Sequence, residues 1–586
     1  MDEKIEKVIA LAGNEHRYQY FTLAVIVFLW INCNFIAIVI PYLEREPVVR
    51  YSDRHGNHTE TLTNEICDEI KKFHRRHHYE IVEKYDYSWV SEYKIECDKV
   101  EVGLIGSFAF IGNTAGGLIF SFITKILSHK NILIISSIGF CIAVFLCTII
   151  KSHAYFLCLL ICEVFIGLFG NYLCYSSLVV AQEIVSNEKR SLFSSIINVG
   201  YSLCGVLYSL AFLFAKDWRI VFYILILASF IALILIWVYI YDSPRGYINK
   251  NDYRNTIYIL EGIAYFNGKL DEFRESIKQD EYKEIFDTIK WNKNNEIDNN
   301  KNKESEIEGN INDSRNPDIS GSLLSQDKSS FQENTEKIEN SEDLSNPLFT
   351  DQNKKPKKKI KIHKINVWSL FKYPSITSVF ILLNFLWIGT RATFNGICIS
   401  SKSFPGNFYV NIIILYIIES IAYCVTGFLI EIKKLGRRGS LWILYILCIL
   451  TLIPLAFLDL STVPTLALNY ISRFCLAGIE VIYYTYSLEL YPTPVRSVAF
   501  GINATFGNGG SILAPMLYEF LPNWFFLILI AVVCGLNAFI LVFLPETVGK
   551  PMVETIKELE NEKYEENDEN ENNEEENNNV KAEKEE

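Results

Sequence analysis

The chain of 586 residues is 50% hydrophobic and 14% aromatic, yet its formal net charge is -13. A mean hydropathy of only +0.16 fits these figures if apolar and polar blocks alternate along the chain. Such a composition excludes a uniformly water-soluble protein. Much of the acidic charge lies in the polar blocks 277–365 and 550–586, so it gives no reason to expect a nucleic-acid partner.

Apolar segments predict about twelve membrane-spanning helices, each close to the roughly 20 residues that a bilayer requires. The first six predicted spans are 20–42, 102–123, 132–151, 154–181, 192–215 and 219–241. The second six predicted spans are 375–397, 409–430, 440–459, 464–488, 497–518 and 524–545. Because polar backbone cannot lie bare in lipid, these spans must be helices. The predicted fold is an all-α membrane protein with two six-helix halves.

Polar segments complete the predicted organisation. We expect five parts: a cytoplasmic N-terminus 1–19, an N-terminal bundle 20–241 with an extracytoplasmic loop 43–101, a cytoplasmic central segment 242–370 that is disordered over about 291–353, a C-terminal bundle 371–545, and an acidic tail 546–586. A run of lysines at 354–364 resembles a basic membrane anchor just before the seventh span.

Basic residues in short loops predict the orientation. Lys and Arg crowd the 433–438 loop, whereas the 7–8, 9–10 and 11–12 loops on the opposite side together offer only Lys402. Positive-inside counting therefore places both termini and the central segment in the cytoplasm. We expect an integral multi-pass protein of the plasma membrane or of an internal vesicle, in contact with the lipid bilayer.

The long first loop carries signs of an oxidising compartment. Asn57, His58 and Thr59 form an N-glycosylation acceptor pattern, so we expect glycosylation at Asn57. Cys67 and Cys97 lie in the same polar loop, whereas the other cysteines lie in or at the edges of apolar segments. A Cys67–Cys97 disulfide is a hypothesis that the sequence leaves open.

Charged residues inside predicted spans are the main candidates for a binding site. A charge at mid-membrane costs several kcal/mol unless it faces a cavity or a partner. Arg473 and Glu480 share one helix face with Tyr484, but they are about 10 Å apart along the axis. Each therefore needs a partner on another helix or in a bound solute. The candidate residues, including one polar asparagine, are Glu163, Arg391, Glu419, Arg473, Glu480, Tyr484 and Asn508.

Two alternatives stay open for these charges. Any one of them could belong to an interhelical network that holds the bundle together. Arg391 could also lie near the outer interface, where its long stem would let the guanidinium reach water.

The sequence shows no specific motif for catalysis or cofactor binding. The sequence contains no phosphate-binding loop, so we expect neither an ATP-driven pump nor an enzyme. His74, His77 and His78 are the nearest approach to a metal-ligand group, but they lie in an Arg-rich polar stretch. We predict no cofactor and no metal.

A short pattern occurs twice, about 300 residues apart. Glu183 precedes Arg190 by seven residues, and Glu489 precedes Arg496 by seven residues, each time between two apolar segments. An internal repeat in a very hydrophobic protein is typical of a secondary transporter with two similar halves around a central cavity.

Several local strings resemble the major facilitator superfamily, in its organic cation, anion and carnitine transporter branch. The strings are Asp217-Trp-Arg219, Asp242-Ser-Pro-Arg245, Leu435-Gly-Arg-Arg438, Glu489-Leu-Tyr-Pro-Thr-Pro-Val-Arg496 and Pro545-Glu-Thr-Val-Gly549. That branch is related to sugar porters and to synaptic-vesicle-glycoprotein-type proteins. The resemblance covers essentially the whole membrane part.

The resemblance implies a mechanism of alternating access, with a central site between two six-helix halves. It implies that cytoplasmic charges act as a latch when the cavity faces outward. The implied gating residues are Glu183, Arg190, Arg437, Arg438, Glu489 and Arg496.

This chain departs from the family pattern at three places. In the first 2–3 loop, Lys125 replaces the usual Asp and Ile126 replaces the usual first Arg. Glu163 stands in span 4 where the family has an Arg, and Asn508 in span 11 matches neither the Asp of cation carriers nor the Arg of anion carriers. Half of the implied latch is therefore weakened.

The resemblance and the acidic residues in spans favour a small organic solute, an organic cation or a zwitterion. A sugar or polyol stays open, as does a non-transporting sensor or vesicle protein with a transporter fold. A coupling ion is left open as a second partner.

Overall fold

The computed structural model describes most of the apolar part of the chain. The described residues are 11–13, 16–46, 48–53, 56–61, 80–83, 88–95, 98–185, 187–215, 217–242, 244, 247, 253–277, 374–430, 435–491 and 493–547, apart from the side chains of the strands and of some helix positions. Contacts divide the chain into one unit of 1–285 with 365–586 and a second unit of 286–364. The second unit, which includes the segment predicted to be disordered, lies outside the described residues.

The N-terminal half consists of helices that match the predicted spans. They are α1 (Arg17–Cys33) with α2 (Phe35–Leu43), then, after a short α3 (Trp89–Tyr93), α4 (Lys99–Ile126), α5 (His129–Ile149), α6 (Phe156–Glu183), α7 (Asn187–Phe214) and α8 (Trp218–Tyr239). Two further helices, α9 (Tyr253–Asn267) and α10 (Leu270–Ile277), follow on the predicted cytoplasmic side.

The C-terminal half repeats this arrangement. Its helices are α11 (Pro374–Ser400), α12 (Phe408–Ile430), α13 (Gly436–Phe457), α14 (Thr462–Glu489), α15 (Thr493–Ser511), α16 (Leu513–Phe520) and α17 (Asn523–Ile540). Within the described residues, eleven helical segments are long and apolar enough to cross a membrane. The predicted span at 497–518 is not among these segments.

The missing span is a broken helix. Pro515 has no backbone N–H and cannot bond to Ser511 one turn earlier, so the helix is interrupted between α15 and α16. On α15, Gly510 lies so close to α11 that a Cβ there would stand 2.3 Å from the carbonyl oxygen of Ile388. Together the two short helices occupy the position of the predicted eleventh span.

The predicted extracytoplasmic loop contains a small sheet that the sequence analysis did not foresee. Strand β1 (Val48–Asp53) pairs antiparallel with both β2 (Gly56–Thr61) and β3 (Glu80–Glu83), in the order β2-β1-β3. We call the end of the bundle that carries this loop the outer end. The opposite end, where α9 and α10 lie, is the inner end.

Small residues bring helices of the N-terminal half into close contact. A Cβ on Gly112 of α4 would stand 2.1 Å from the carbonyl oxygen of Val164, and one on Gly167 of α6 would stand 2.3 Å from that of Ala109. Such contacts are typical of helix packing in lipid, where no hydrophobic effect draws helices together. They fix the face of α6 that is turned toward α4.

The two halves meet along two main seams. Helix α7 packs on α12, where Ser420 donates a hydrogen bond to Ser202 at 2.6 Å. Helix α4 packs on α15 and α16, where the Ser107 hydroxyl donates to the carbonyl oxygen of Ile512 at 2.9 Å. The candidate site lies between these seams.

Candidate functional site

The most deeply buried charges form an ion pair within the C-terminal half. Arg473 of α14 and Glu419 of α12 are both fully buried, and the guanidinium Nε donates to Glu419 Oε2 at 3.0 Å. Arg473 also donates to the carbonyl oxygen of Phe394 at 2.7 Å and lies over its ring. Tyr423 donates to the other Glu419 oxygen at 2.6 Å. The pair therefore ties α11, α12 and α14 together.

A second pair joins α11 to α14. Arg391 Nη1 lies 2.7 Å from Glu480 Oε1, and a second guanidinium nitrogen donates to the Tyr484 hydroxyl. Unlike the first pair, it retains unused polar atoms: Arg391 Nε and Glu480 Oε2 have no hydrogen-bond partner among the described residues. Arg391 is partly exposed, with 18% of its side chain accessible. The alternative that its guanidinium reaches water near the outer interface stays a prediction.

Side chains from the N-terminal half face the second pair. Tyr175 of α6 interacts with Arg391 and with the amides of Asn171 and Asn508. Tyr201 of α7 interacts electrostatically with both Glu419 and Glu480. The site therefore lies at the junction of the halves, with tyrosines on one side and the Arg391–Glu480 pair on the other.

The structure brings together six of the seven predicted binding residues. The expectation that Arg473 and Glu480 take partners on other helices is confirmed, because each pairs with a charge on a neighbouring helix. Glu163 is the exception. It is fully buried inside the N-terminal half, and neither of its carboxyl oxygens has a hydrogen-bond partner among the described residues.

At the inner end, part of the predicted latch forms a cluster within the C-terminal half. Arg437 at the start of α13 donates to Glu489 at the end of α14, with Nη2 to Oε1 at 3.0 Å. Glu546 accepts the backbone N–H groups of Arg437 and Arg438, at 2.9 and 3.0 Å. Thr547 donates its hydroxyl to Glu489 as well. We call Arg437, Glu489, Glu546 and Thr547 the inner cluster.

Other predicted gating contacts stay predictions. Glu183 ends α6. Arg190 and Arg496 lie in α7 and α15, but their side chains are outside the described residues. The pairings of Glu183 with Arg190 and of Glu489 with Arg496 are therefore untested.

The predicted sites in the outer loop are also untested. Asn57 lies in β2, where its backbone pairs with Ser52 of β1. Cys67 and Cys97 lie outside the described residues. Glycosylation and the disulfide remain predictions.

Sequence reasoning missed a charged contact at the outer end. Lys402, on the turn after α11, donates to Glu44 after α2 at 2.8 Å and to Glu519 in α16 at 2.6 Å. All three side chains are at most 10% exposed. The sequence did contain one signal for this contact, since Lys402 is the only basic residue in the 7–8, 9–10 and 11–12 loops.

Metal ligation finds no support in the described residues, because they contain no group of three or more His, Cys, Asp or Glu that could hold an ion. The arrangement offers charge complementarity and aromatic rings instead. Groups of this kind are chemically suited to holding a small polar solute.

Sequence comparison with known proteins gives one family and several relatives. The sequence model of the Major Facilitator Superfamily matches residues 22–515. Solute carrier family 22 member 15 of Xenopus tropicalis is 27% identical over 220 residues, which are 36% of this chain and 41% of that protein. Organic anion transporter 3 of Sus scrofa is 31% identical over 33% of this chain and 35% of its own length. The chain thus spans about two fifths or less of these relatives.

A longer match and a structural likeness complete the comparison. Organic cation/carnitine transporter 2 of Rattus norvegicus is 24% identical over 486 residues, which are 80% of this chain and 71% of that protein. Among solved structures, the xylose transporter XylE from E. coli in a partially occluded inward open conformation superposes with a TM-score of 0.57. That match has 11% identity and covers 91% of this chain and 99% of XylE, so it supports the fold alone.

Proposed function

Because this chain belongs to the Major Facilitator Superfamily, we propose that it carries a small organic solute across a membrane by alternating access to a central site. The site is the Arg391–Glu480 pair with Tyr484, Asn508 and the facing Tyr175. Both halves contribute side chains to it, so a relative movement of the halves changes its exposure.

One observation carries the proposal. Glu480 is 6% exposed, and one of its carboxylate oxygens has no partner in the described part of the chain; the same holds for the Nε–H group of Arg391 beside it. Buried polar atoms are nearly always satisfied, and those that are not call for an explanation. A bound solute that supplies a donor to Glu480 and an acceptor to Arg391 satisfies both.

The same two atoms favour a substrate class. An ammonium-type group fits the unpartnered Glu480 oxygen, and a carboxylate or hydroxyl fits the Arg391 N–H. The ring of Tyr484 packs edge-on against Trp387, with centroids 5.1 Å apart, and adds aromatic surface that suits a cationic group. An organic cation or a zwitterion is therefore the proposed solute, in line with relatives that are named for organic cations and carnitine.

The Arg473–Glu419 pair has a different role in this proposal. Its guanidinium and both carboxylate oxygens already have protein partners. It holds α11, α12 and α14 in fixed relative positions, so that Arg391 and Glu480 keep their geometry. Positioning of this kind is what makes a binding site selective.

Charges at the two ends would bias the movement of the halves. The inner cluster stiffens the inner end of the C-terminal half, and Lys402 links the halves at the outer end. A conformational equilibrium needs only a small difference in free energy between its two states to be biased in this way.

A ligand panel tests the binding step. The purified full-length protein is heated in detergent with organic cations, anions, zwitterions and sugars, since a ligand at 100 times its Kd stabilises the native state by about 2.7 kcal/mol. We expect cations or zwitterions to raise the apparent Tm. A response to anions or sugars alone would contradict the proposed class.

A flux assay tests the transport step. In proteoliposomes, Glu480→Gln is expected to reduce uptake of the best ligand by at least about tenfold, because it removes the charge that meets the cationic group. The matched control is Glu272→Gln, in the exposed part of α10, which should transport normally. Binding without flux in the unaltered protein would favour a sensor over a carrier.

A further inference from the structure

Two thiols meet where the first span is interrupted. Helix α1 ends at Cys33 and α2 begins at Phe35, with Asn34 between them. The Cys33 Sγ lies 3.1 Å from the Sγ of Cys174 on α6. A disulfide bond is about 2.05 Å long, so the two sulfurs need to approach by only about 1 Å to form one. The pair therefore has the geometry of a dithiol.

Backbone packing brings the two helices to this distance. A Cβ on Gly170 of α6 would stand 2.8 Å from the carbonyl oxygen of Cys33. Cys174 is one turn after Gly170 on the same face of α6, so it also faces the end of α1. Because Gly170 has no side chain, α1 approaches closely enough for the two thiols to meet.

The side chain of Asn34 contacts both thiols. Its Nδ2 donates to Cys33 Sγ at 3.6 Å, and its Oδ1 accepts from the Cys174 thiol at 3.6 Å. With the Cys33 thiol donating to Cys174 Sγ, the three contacts close a ring. The amide is itself fixed, since Nδ2 also donates to the carbonyl oxygen of Trp30 at 3.1 Å. Thiols are weak donors and acceptors, so this ring orients the sulfurs toward each other without preventing their reaction.

A repeat between the two halves provides a reference for the position of Cys174. Trp30 of α1 donates its indole N–H to Ser177 of α6 at 2.9 Å, and Trp387 of α11 donates to Ser487 of α14 at the same distance. The two bonds are equivalent, because α1 and α6 belong to the first and fourth spans of one half, and α11 and α14 to those of the other.

Counting from these bonds places Cys174 opposite Tyr484. Each of the two residues precedes its serine by three positions, and Asn34 and Arg391 each follow their tryptophan by four. Arg391 donates to the Tyr484 hydroxyl, and Asn34 accepts from Cys174. Cys174 therefore corresponds to Tyr484 and faces the central site. Its electrostatic interactions with Tyr484 and Tyr175 agree with this position.

The two thiols differ in exposure. Cys33 is 4% exposed, whereas Cys174 is partly exposed. A small neutral oxidant that enters the central site therefore reaches Cys174 first, with Cys33 behind it. This order assigns Cys174 as the thiol that is oxidised first and Cys33 as the resolving thiol.

We infer that Cys33 and Cys174 are a redox-active dithiol beside the central site, which hydrogen peroxide converts into a disulfide between α1 and α6. Sulfur of Cys174 attacks one peroxide oxygen, the O–O bond breaks, and a sulfenic acid and one water form. Sulfur of Cys33 then attacks the Cys174 sulfur, so that the S–S bond forms and the S–OH bond breaks. The hydroxyl leaves with the remaining thiol proton as a second water.

The overall reaction balances without any further reactant. Two thiols lose two electrons, one peroxide molecule takes them up, and both thiol protons end in water. A small thiol reverses the reaction by exchange. The inference does not rest on transport, because no step involves a carried solute.

A third thiol lies near the pair. Cys204 of α7 is fully buried and interacts electrostatically with both Cys33 and Cys174. The sulfur–sulfur contact at 3.1 Å nevertheless joins Cys33 and Cys174. The test must therefore identify which two cysteines are linked.

Peptide mapping by mass spectrometry identifies the link. The full-length protein in lipid nanodiscs is reduced, treated with hydrogen peroxide, denatured with an alkylating reagent and digested without reduction. We expect a cross-linked peptide that contains Cys33 and Cys174 and that dithiothreitol removes. The chain supplies a matched control: Cys448 of α13 and Cys534 of α17 also interact with each other, but both are fully buried, so they should remain alkylated thiols.

Three variants separate the roles of the thiols. In Cys33→Ser the sulfenic acid on Cys174 has no resolving thiol, so its capture by dimedone should rise at least about tenfold over the parent protein. Cys174→Ser should leave Cys33 reduced. Cys204→Ser should form the same cross-link as the parent protein. If a serine variant misfolds, the peptide map of the parent protein decides the question alone.

Three results would overturn the inference. They are a peptide map without the Cys33–Cys174 link, a link from either residue to Cys204 in its place, and equal oxidation of Cys448 and Cys534. A pair that oxidises in a chain that carries no tested solute keeps this inference and loses the proposed function. A chain that carries solute while the pair stays reduced loses this inference alone.

Discussion

The two halves of the molecule bury charge in different ways. The C-terminal half buries Glu419 with Arg473 and Glu480 with Arg391, and each carboxylate meets a guanidinium on a neighbouring helix. The N-terminal half buries Glu163 with no partner at all for its oxygens among the described residues. Two similar helical scaffolds therefore treat a buried carboxyl group differently, with an ion pair in one half and without one at Glu163 in the other.

This difference predicts how the stability of the protein should respond when a paired or an unpaired carboxyl group is replaced. A paired carboxylate stays ionised, and its loss leaves an uncompensated cation in the interior. We expect an unpaired buried carboxyl group to be neutral, because an isolated carboxylate there is too costly, so its replacement by an amide should change stability little. Four experiments test this difference between the halves.

The largest effect is expected for Glu419→Gln in the C-terminal half. The substitution leaves the Arg473 guanidinium buried without its counter-charge, which typically costs about 3–5 kcal/mol. Unfolding titrations in mixed detergent micelles measure the loss. The double variant Glu419→Gln/Arg473→Met should recover most of it, and a neutral result for the single variant would contradict the assigned pairing.

A change in pH should have a smaller effect on stability, and that effect should come from a carboxyl group of the N-terminal half. Burial raises the pKa of Glu44 to about 7, so the native state binds more protons than the unfolded state between about pH 4.5 and 7. The free energy of unfolding should therefore fall as the pH rises through this window. Apparent Tm at pH 5, 6, 7 and 8 provides the measurement.

Glu44→Gln is the matched variant for that experiment. It removes the titrating group, so the slope of Tm against pH should flatten between pH 5 and 7. A slope as steep as that of the parent protein would assign the pH dependence to other groups.

Substitutions at the inner ends of the two halves should differ by about 1 kcal/mol in their effect on the free energy of unfolding. Arg437→Ala removes the half-buried ion pair to Glu489, whereas the corresponding end of the N-terminal half has the backbone N–H of Lys130 against Asp242 at 3.4 Å. Lys130→Ala keeps that backbone contact and should change stability less. Equal losses from the two variants, measured by the same unfolding titration, would remove the distinction.

The smallest effect is expected for Glu163→Gln. A neutral carboxyl group and an amide have nearly the same size, so we expect a change below about 0.5 kcal/mol at pH 7. The same chemical substitution would thus be severe at Glu419 and almost silent at Glu163. A loss of several kcal/mol would show that Glu163 is ionised and paired.

Much of the fold could be predicted from the chain alone. The apolar segments gave the helices, and the charges inside them identified Arg473, Glu480 and Arg391 as residues in need of partners. Two features were missed: the interruption at Ile512 in the eleventh span and the small sheet in the outer loop. Hydropathy does not detect a proline-induced break inside an apolar segment, and sheet pairing joins strands that are distant in the chain.

The sequence by itself determined that this protein crosses a membrane many times, has two related halves and places charges where lipid would exclude them. Those properties are local, because the transfer cost of each side chain depends on its own chemistry. The pairing of Glu419 with Arg473, the Lys402 contact between the halves, and the lack of a hydrogen-bond partner for Glu163 among the described residues follow from the tertiary structure alone. These outcomes depend on helix rotation and close packing at residues such as Gly112 and Gly167, which no spacing along one helix can specify.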